Sequence, residues 1–495
     1  MWTTIALALT VLFIIFYKAA LRPPCFPPGP FALPIVGSIF SILPSPKESF
    51  SRFQKKYGPI CSYKVFDNWS IIVNDPALMK PLLADPVFSG RKHLYLFSLR
   101  DEVISGEKMP LGILGTSGDV WKNQRRFTLR SLKDLGFGRN SIEPIMQKEL
   151  EDLINTFSQT EGQKVDVGLT FNSSIINVIW AMVIGKRFSH EDVRLLELVD
   201  KVNKMLQSFN PFHPAYRFPI IKKFFPNLDV YKSQDTYMRQ LLSFIEDETA
   251  QYEKELLADE SSFSYIRAYL KEMKEAETEG KETPLNMHHL KANIFELFLA
   301  GSETTASTLW WAVYLLASNP DVQKTIQKEL DEVIGEDKLP TLAHMDSLPY
   351  TTAAIYEVQR VADLVPFAVP HETTEDATVS GYRIPKGTTV MFNLSHGLKD
   401  PKYWKYPDRF YPEHFLTEEG KPYKPENFMP FGSGKRVCLG ESLARLELFL
   451  FFATLVHRFS WKLSDDPIVW EKSIVLSRPP RFMVEISNRN SNAVF

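Results

Sequence analysis

The stretch Met287–Ser318 constrains this chain more than any other, because it reads as one long helix that is apolar on nearly every face. Phe295, Leu297, Phe298 and Leu299 are followed by Leu309, Trp310 and Trp311. A helix of that kind is buried, so the polar run Ser302-Glu303-Thr304-Thr305 in its middle needs a physical reason to be there. The helix is ended by Asn319-Pro320, where Asn319 is placed to cap the next helix and Pro320 to occupy its first turn. That helix, residues 321–334, is amphipathic and closes on Gly335, which suits a left-handed position. With 44% hydrophobic and 23% charged residues the chain can bury a large core. Its 495 residues suggest about three domains, a soft prior that one large domain can override.

The other long apolar run is N-terminal. Residues 2–17 carry no charge, and with Ala19, Ala20 and Leu21 behind a Lys18 able to snorkel, the segment just reaches bilayer thickness. A cleaved signal peptide wants a basic start and a small-residue cleavage site, and neither is present. Lys18, Arg22 and the Lys-rich body lie on the C-terminal side, which orients the body to the cytoplasm. The sequons at Asn68, Asn172 and Asn393 matter only for a lumenal body. The following Pro23-Pro24-Cys25-Phe26-Pro27-Pro28-Gly29-Pro30 cannot be helix and reads as a stiff spacer.

From about residue 45 helical patterns dominate, with strand-like minorities at residues 60–74 and 381–392 and no internal repeat. Residues 271–282 (KEMKEAETEGKE) read as a disordered, solvated loop. A formal charge of −2 excludes a bulk nucleic-acid polyelectrolyte but not a local basic patch. Three cysteines, Cys25, Cys61 and Cys438, form no CxxC pair and no disulfide framework.

Cys438 stands apart from an ordinary buried cysteine. It closes Phe431-Gly432-Ser433-Gly434-Lys435-Arg436-Val437-Cys438-Leu439-Gly440, whose glycines let backbone approach a flat ligand. It also immediately precedes the amphipathic run 441–459, so helix-end donors lower its pKa and favour the thiolate, with Arg436 adding positive charge nearby. This loop resembles the haem-binding motif FxxGxRxCxG of the cytochrome P450 family, with every fixed position filled. Ala300-Gly301-Ser302-Glu303-Thr304-Thr305 is similar to the family's oxygen-activation motif, [AG]GxETT. Glu357-Val358-Gln359-Arg360 is similar to its ExxR pair. Pro412-Glu413-His414-Phe415 stands where PERF is commonest, with His in place of Arg.

The resemblance spans nearly the whole chain. It implies a mainly α fold with a small β part: a membrane anchor at 1–21, a Pro-rich hinge at 22–38, and one large haem-thiolate domain at 39–495. Haem b would be held by Cys438 as axial thiolate, with its propionates against Trp121, Arg125 (the WxxxR pair), His371 and Arg436. Thr304 would hydrogen-bond dioxygen and Glu303 would help relay protons. Ala300 lies one turn before Thr304 on the same face, and Glu296 one turn further, suited to a structural hydrogen bond with a loop. Pocket residues by the same resemblance are Phe97, Phe209, Phe212, Ala300, Val365, Val369, Val475 and Leu476.

On another face of the helix bearing Trp121, Lys122, Arg126, Arg130 and Lys133 cluster within roughly 80°. They read either as a solvated face or as a docking patch for an acidic electron donor. The chain has no GxGxxG, so electrons must come from elsewhere. The implied partners are an NADPH-dependent flavoprotein reductase, with cytochrome b5 as a further candidate donor, membrane lipid and a lipophilic small molecule, but no nucleic acid. The closest subgroup is the animal microsomal one, on the endoplasmic reticulum membrane with the body cytoplasmic. Two other classes share the loop: a haem-thiolate isomerase or dehydratase, and a non-catalytic haem sensor. The Glu303-Thr304 pair counts against the first, which does not need to protonate dioxygen.

Overall fold

The computed structural model describes residues 2, 4, 5, 10, 20–168, 170–190, 192–255, 264–470 and 473–490. The apolar segment 1–21 read as an anchor falls mostly outside them. Among the described residues no helix is long and apolar enough to cross a membrane.

The central helix runs Met287–Ser318, and Asn286 caps it by accepting from the His289 amide at 2.9 Å. It is covered by the helices Thr170–Val183, Asp229–Glu255, Pro349–Ala362 and Glu441–Arg458, which accounts for its apolar faces. Gly301 permits the closest of these approaches, since a Cβ there would stand 2.9 Å from Ile179 Cδ1. The largest apolar cluster is built around this helix.

Three departures from the sequence reading have clear causes. Asn319 does not cap the helix Pro320–Ile334; its Nδ2 donates backward to Leu315 O at 2.8 Å and closes the central helix instead. Residues 271–278 are not disordered, because they complete the helix Tyr265–Thr278. Tyr265, Ile266 and Tyr269 anchor that helix in the core, and its charges are merely the exposed face. The Pro-rich segment is more than a stiff spacer: Phe26 is buried against Trp69, and Ser62 donates its amide to Pro28 O and its hydroxyl to Pro27 O at 2.7 and 2.6 Å.

The β part is small and serves the site. A five-stranded sheet has the order Ile60–Val65, Asn68–Val73, Thr389–Phe392, His371–Glu372, Gly90–Arg91. Asn68–Val73 lies parallel to Thr389–Phe392, and the remaining neighbours are antiparallel. At the far edge Arg91 pairs directly with His371. A second sheet joins Lys164–Val165, Val484–Asn488 and Phe459–Leu463.

Candidate active site

Two elements from opposite parts of the chain bracket the site: the cysteine loop and the middle of the central helix. In the loop, Gly434 takes φ +69° where a Cβ would stand 2.1 Å from Leu83 O, so only glycine fits. Cys438 N donates to Phe431 O at 3.0 Å, and the helix Glu441–Arg458 begins three residues later. Burial is the largest influence on the Cys438 thiol and pushes its pKa up, opposed by the Gly440 and Glu441 amides and by Arg125. The sequence expectation of a lowered pKa is therefore corrected for the bare thiol, although a coordinated cation would deprotonate it outright.

Cys438 is crowded by protein and still keeps accessible surface. Ala300 is likewise exposed and Thr304 partly so, in the middle of an otherwise buried helix. Surface that is accessible but interior means that these side chains border an internal void. Thr304 Oγ1 donates to Ala300 O at 2.8 Å, one turn back.

A cationic cluster stands beside the loop. Arg436 stacks on the Trp121 ring at 3.8 Å and donates to Ser89 O, Ile113 O and Thr116 O at 2.8, 3.2 and 2.7 Å. Arg125 Nη2 donates to Val437 O at 2.7 Å, so Arg125, rather than Arg436, supplies positive charge to the sulfur. His371 Nδ1 donates to Phe88 O at 2.6 Å. Burial and then Arg91 push its pKa down to about 2, so the ring is neutral. Burial and the neighbouring guanidiniums push Arg436 down to about 8, and burial and Arg125 push Arg91 down to about 9. Buried cations that repel one another need anionic partners. Trp121 Nε1 and Arg91 Nε are moreover buried without a partner among the described residues. These residues suit a flat group carrying two carboxylates, such as haem. Arg91 was missed at the sequence level because its place depends on a two-residue strand pairing with a strand 280 positions later.

The Glu357–Arg360 pair is wholly buried and bidentate, at 2.7 and 2.8 Å, and Arg360 also donates to Leu398 O, Pro407 O and Arg409 O. His414 joins it. Its Nε2 accepts from the Tyr406 amide at 3.2 Å, which leaves Nδ1–H to donate to the Glu357 carboxylate at 3.3 Å. One neutral tautomer thus fills the place of the commoner Arg.

Glu303 faces away from the void. Its carboxylate takes Arg478 Nη2 at 2.7 Å, Asn172 Nδ2 at 2.9 Å and Ser307 Oγ at 3.0 Å. Glu296 pins the loop after the helix Tyr95–Ser105, accepting from the Ile113 and Leu114 amides at 2.6 and 2.9 Å and pairing with Arg100 at 2.5 Å. Of the pocket residues, Phe209 and Leu476 are buried in the main core with Val365 and Val475 packed against it. Val369 is half-buried, and its carbonyl accepts from Arg91 at 2.6 Å. Phe97 sits beneath the Arg100 guanidinium at 5.3 Å. Phe212 is the exception: the turn at Asn210 redirects it to a separate cluster with Phe50, Tyr63 and Ile72.

Lys122, Arg126, Arg130 and Lys133 are all exposed on the helix Gly118–Asp134. Lys122 pairs with Asp119 at 2.9 Å and Arg130 with Glu272, whereas Arg126 and Lys133 make no ion pair among the described residues.

The cytochrome P450 family model matches residues 27–486. Cytochrome P450 2J3 of Rattus norvegicus is 36% identical, covering 98% of this chain and 95% of that protein. Cytochrome P450 2J2 of Homo sapiens is 36% identical over 89% of this chain and 86% of its own length. Cytochrome P450 2B19 of Mus musculus is 32% identical, with 98% of each chain covered.

Proposed function

The chain belongs to the cytochrome P450 family and is a haem monooxygenase, and from that premise we propose that it oxidises a lipophilic small molecule with NADPH electrons delivered by a separate flavoprotein reductase. The observation that carries this reading is the accessible surface that Cys438, Ala300 and Thr304 keep in otherwise buried surroundings, on elements packed into an aromatic and aliphatic core. Haem, when bound, supplies the activation of dioxygen that no side chain can perform.

The protein's own part is holding, shielding and proton placement. Cys438 offers sulfur from a loop that glycines hold open. Trp121, Arg125, Arg436, His371 and Arg91 would hold the propionates, whose charges would offset the mutual repulsion of the three guanidiniums. Thr304 must turn its hydroxyl from Ala300 O to donate toward dioxygen, and Glu303, after leaving Arg478 and taking up a proton from solvent, would pass that proton to the hydroxyl. The anchor at 1–21 would hold the body at the cytoplasmic face of the endoplasmic reticulum.

Topology has a sharp test. Asn172 and Asn393 are buried and cannot be glycosylated in the folded body, so only Asn68 reports orientation. An endoglycosidase mobility shift on membrane-expressed protein should be absent. A shift lost in Asn68→Gln would place the body in the lumen.

Docking has another. Because Arg126 and Lys133 are the charges of the basic face that make no ion pair among the described residues, their joint neutralisation should raise the reductase concentration for half-maximal rate several-fold. Added salt should mimic it, since the Debye length is about 8 Å at physiological ionic strength. Peroxide-driven turnover should be untouched. NADPH consumption with reductase, set beside peroxide turnover without it, also tests the function itself. A monooxygenase makes product in the first assay, an isomerase only in the second, and a sensor in neither.

A further inference from the structure

One buried carboxyl near the site is used by nothing described so far. Glu447 lies on the helix Glu441–Arg458 and is 1% exposed. Its Oε2 accepts from Thr305 Oγ1 at 3.1 Å, while Oε1 has no partner among the described residues. The hydroxyls around Thr305 stay within the central helix: Ser302, Thr304 and Thr308 bond back to the carbonyls of Phe298, Ala300 and Thr304, and Ser307 to Glu303. Thr305 alone of this group reaches across to the helix that follows Cys438.

We propose that Glu447 is a positioning residue for the monooxygenase reaction: through Thr305 it fixes the rotation of the central helix, and so the direction of Thr304, against the cysteine helix. Thr304 and Thr305 are neighbours whose side chains diverge by about 100° around the helix axis, so holding one aims the other. This rests on the reading of Thr304 given above.

The carboxyl does this as a neutral acid. Burial without a cation pushes its pKa up to about 8, with the Thr305 hydrogen bond opposing weakly. Charged groups on the packed elements are engaged elsewhere. Glu303 holds Arg478, Glu149 holds Arg187, Glu357 holds Arg360 and Asp331 holds Arg489. His344 bonds to Thr341 and Lys462 to Glu485. With an ordinary value of 4.5 and a folded value of about 8, the native state binds the extra proton between them. Stability contributed at this position therefore falls as pH rises through that window and levels off above it.

The test compares wild-type holoenzyme, Glu447→Gln and Thr305→Val at saturating reductase. It follows product formed per NADPH oxidised and, separately, the unfolding midpoint, from about pH 5 to about pH 9. Wild type should lose coupling as pH passes about 8, because a carboxylate this deeply buried has only the Thr305 hydroxyl as donor and must draw in water that disturbs the contact between the two helices. Glu447→Gln, which cannot ionise, should stay coupled throughout. Thr305→Val should be poorly coupled at every pH with no alkaline step. The stability advantage of Glu447→Gln over wild type should grow with pH up to the same point. A wild-type coupling profile that stays flat, or an alkaline step that persists in Glu447→Gln, overturns the positioning role. A stability difference that does not change with pH shows a charged Glu447 and overturns it too. Thr304→Ala is the control: if it remains fully coupled, the reading of Thr304 falls and takes this inference with it. If it uncouples while wild type stays flat, only the inference falls.

Discussion

Cys438→Ser is expected to abolish the thiolate-type absorption of the reduced carbonyl complex, while Cys25→Ser and Cys61→Ser leave it intact. The change is nearly isosteric, and the loop's geometry depends on Gly434 and on the Cys438 amide rather than on the sulfur, so the fold should survive. What is lost is donor strength, because an alcohol is a poor ligand where a thiolate donates electron density. The other cysteines are excluded by their surroundings. Burial pushes the Cys61 thiol up to about 12, and its Sγ sits 3.1 Å from Gly58 O, so it stays protonated near neutral pH. Cys25 is exposed in the Pro-rich segment. The expected effect is all-or-none in the absorption of the reduced protein under carbon monoxide. Retention of the thiolate spectrum by Cys438→Ser would sink the assignment.

What could be read in advance follows from the range of the forces involved. The central helix was legible end to end because burial imposes apolar residues on every face, and Asn319-Pro320 marks its stop locally. The cysteine loop was legible because glycine, arginine and cysteine are fixed by spacing within ten residues. Residues 271–278 were misread as loop because Lys and Glu serve a solvated helix face as readily as a disordered loop. Lys271 and Glu275 in fact lie 3.8 Å apart at i, i+4. Long-range partners left no local trace. Arg91 reaches His371 only through a sheet edge, and Glu303 meets Arg478 from 175 positions away. The basic face was legible as a stripe, but its partial neutralisation by Glu272 was not, since the two helices that meet there are set by tertiary packing.

That hidden pair sets the second large effect. Arg478 and Glu303 are both nearly inaccessible, and Arg478 also donates to Asn203 Oδ1 at 3.0 Å. Arg478→Leu strands the Glu303 charge with only Asn172 and Ser307 as donors, and breaking a buried pair from one side costs about 3–5 kcal/mol. Removing both charges together, as Glu303→Leu with Arg478→Leu, should restore most of that loss, because an apolar pair of similar volume avoids the desolvation of either ion. The urea midpoint of each variant measures this, and the non-additive part is the coupling between the two residues. Product formed per NADPH oxidised measures something else. If Glu303 only props the helix, the double variant should regain coupling along with stability. If Glu303 relays protons to Thr304, the double variant should be stable and uncoupled, because the prop is replaced and the relay is gone. We expect the second outcome. A double variant that recovers both stability and product yield would leave Glu303 a structural residue and Thr304 dependent on another proton source.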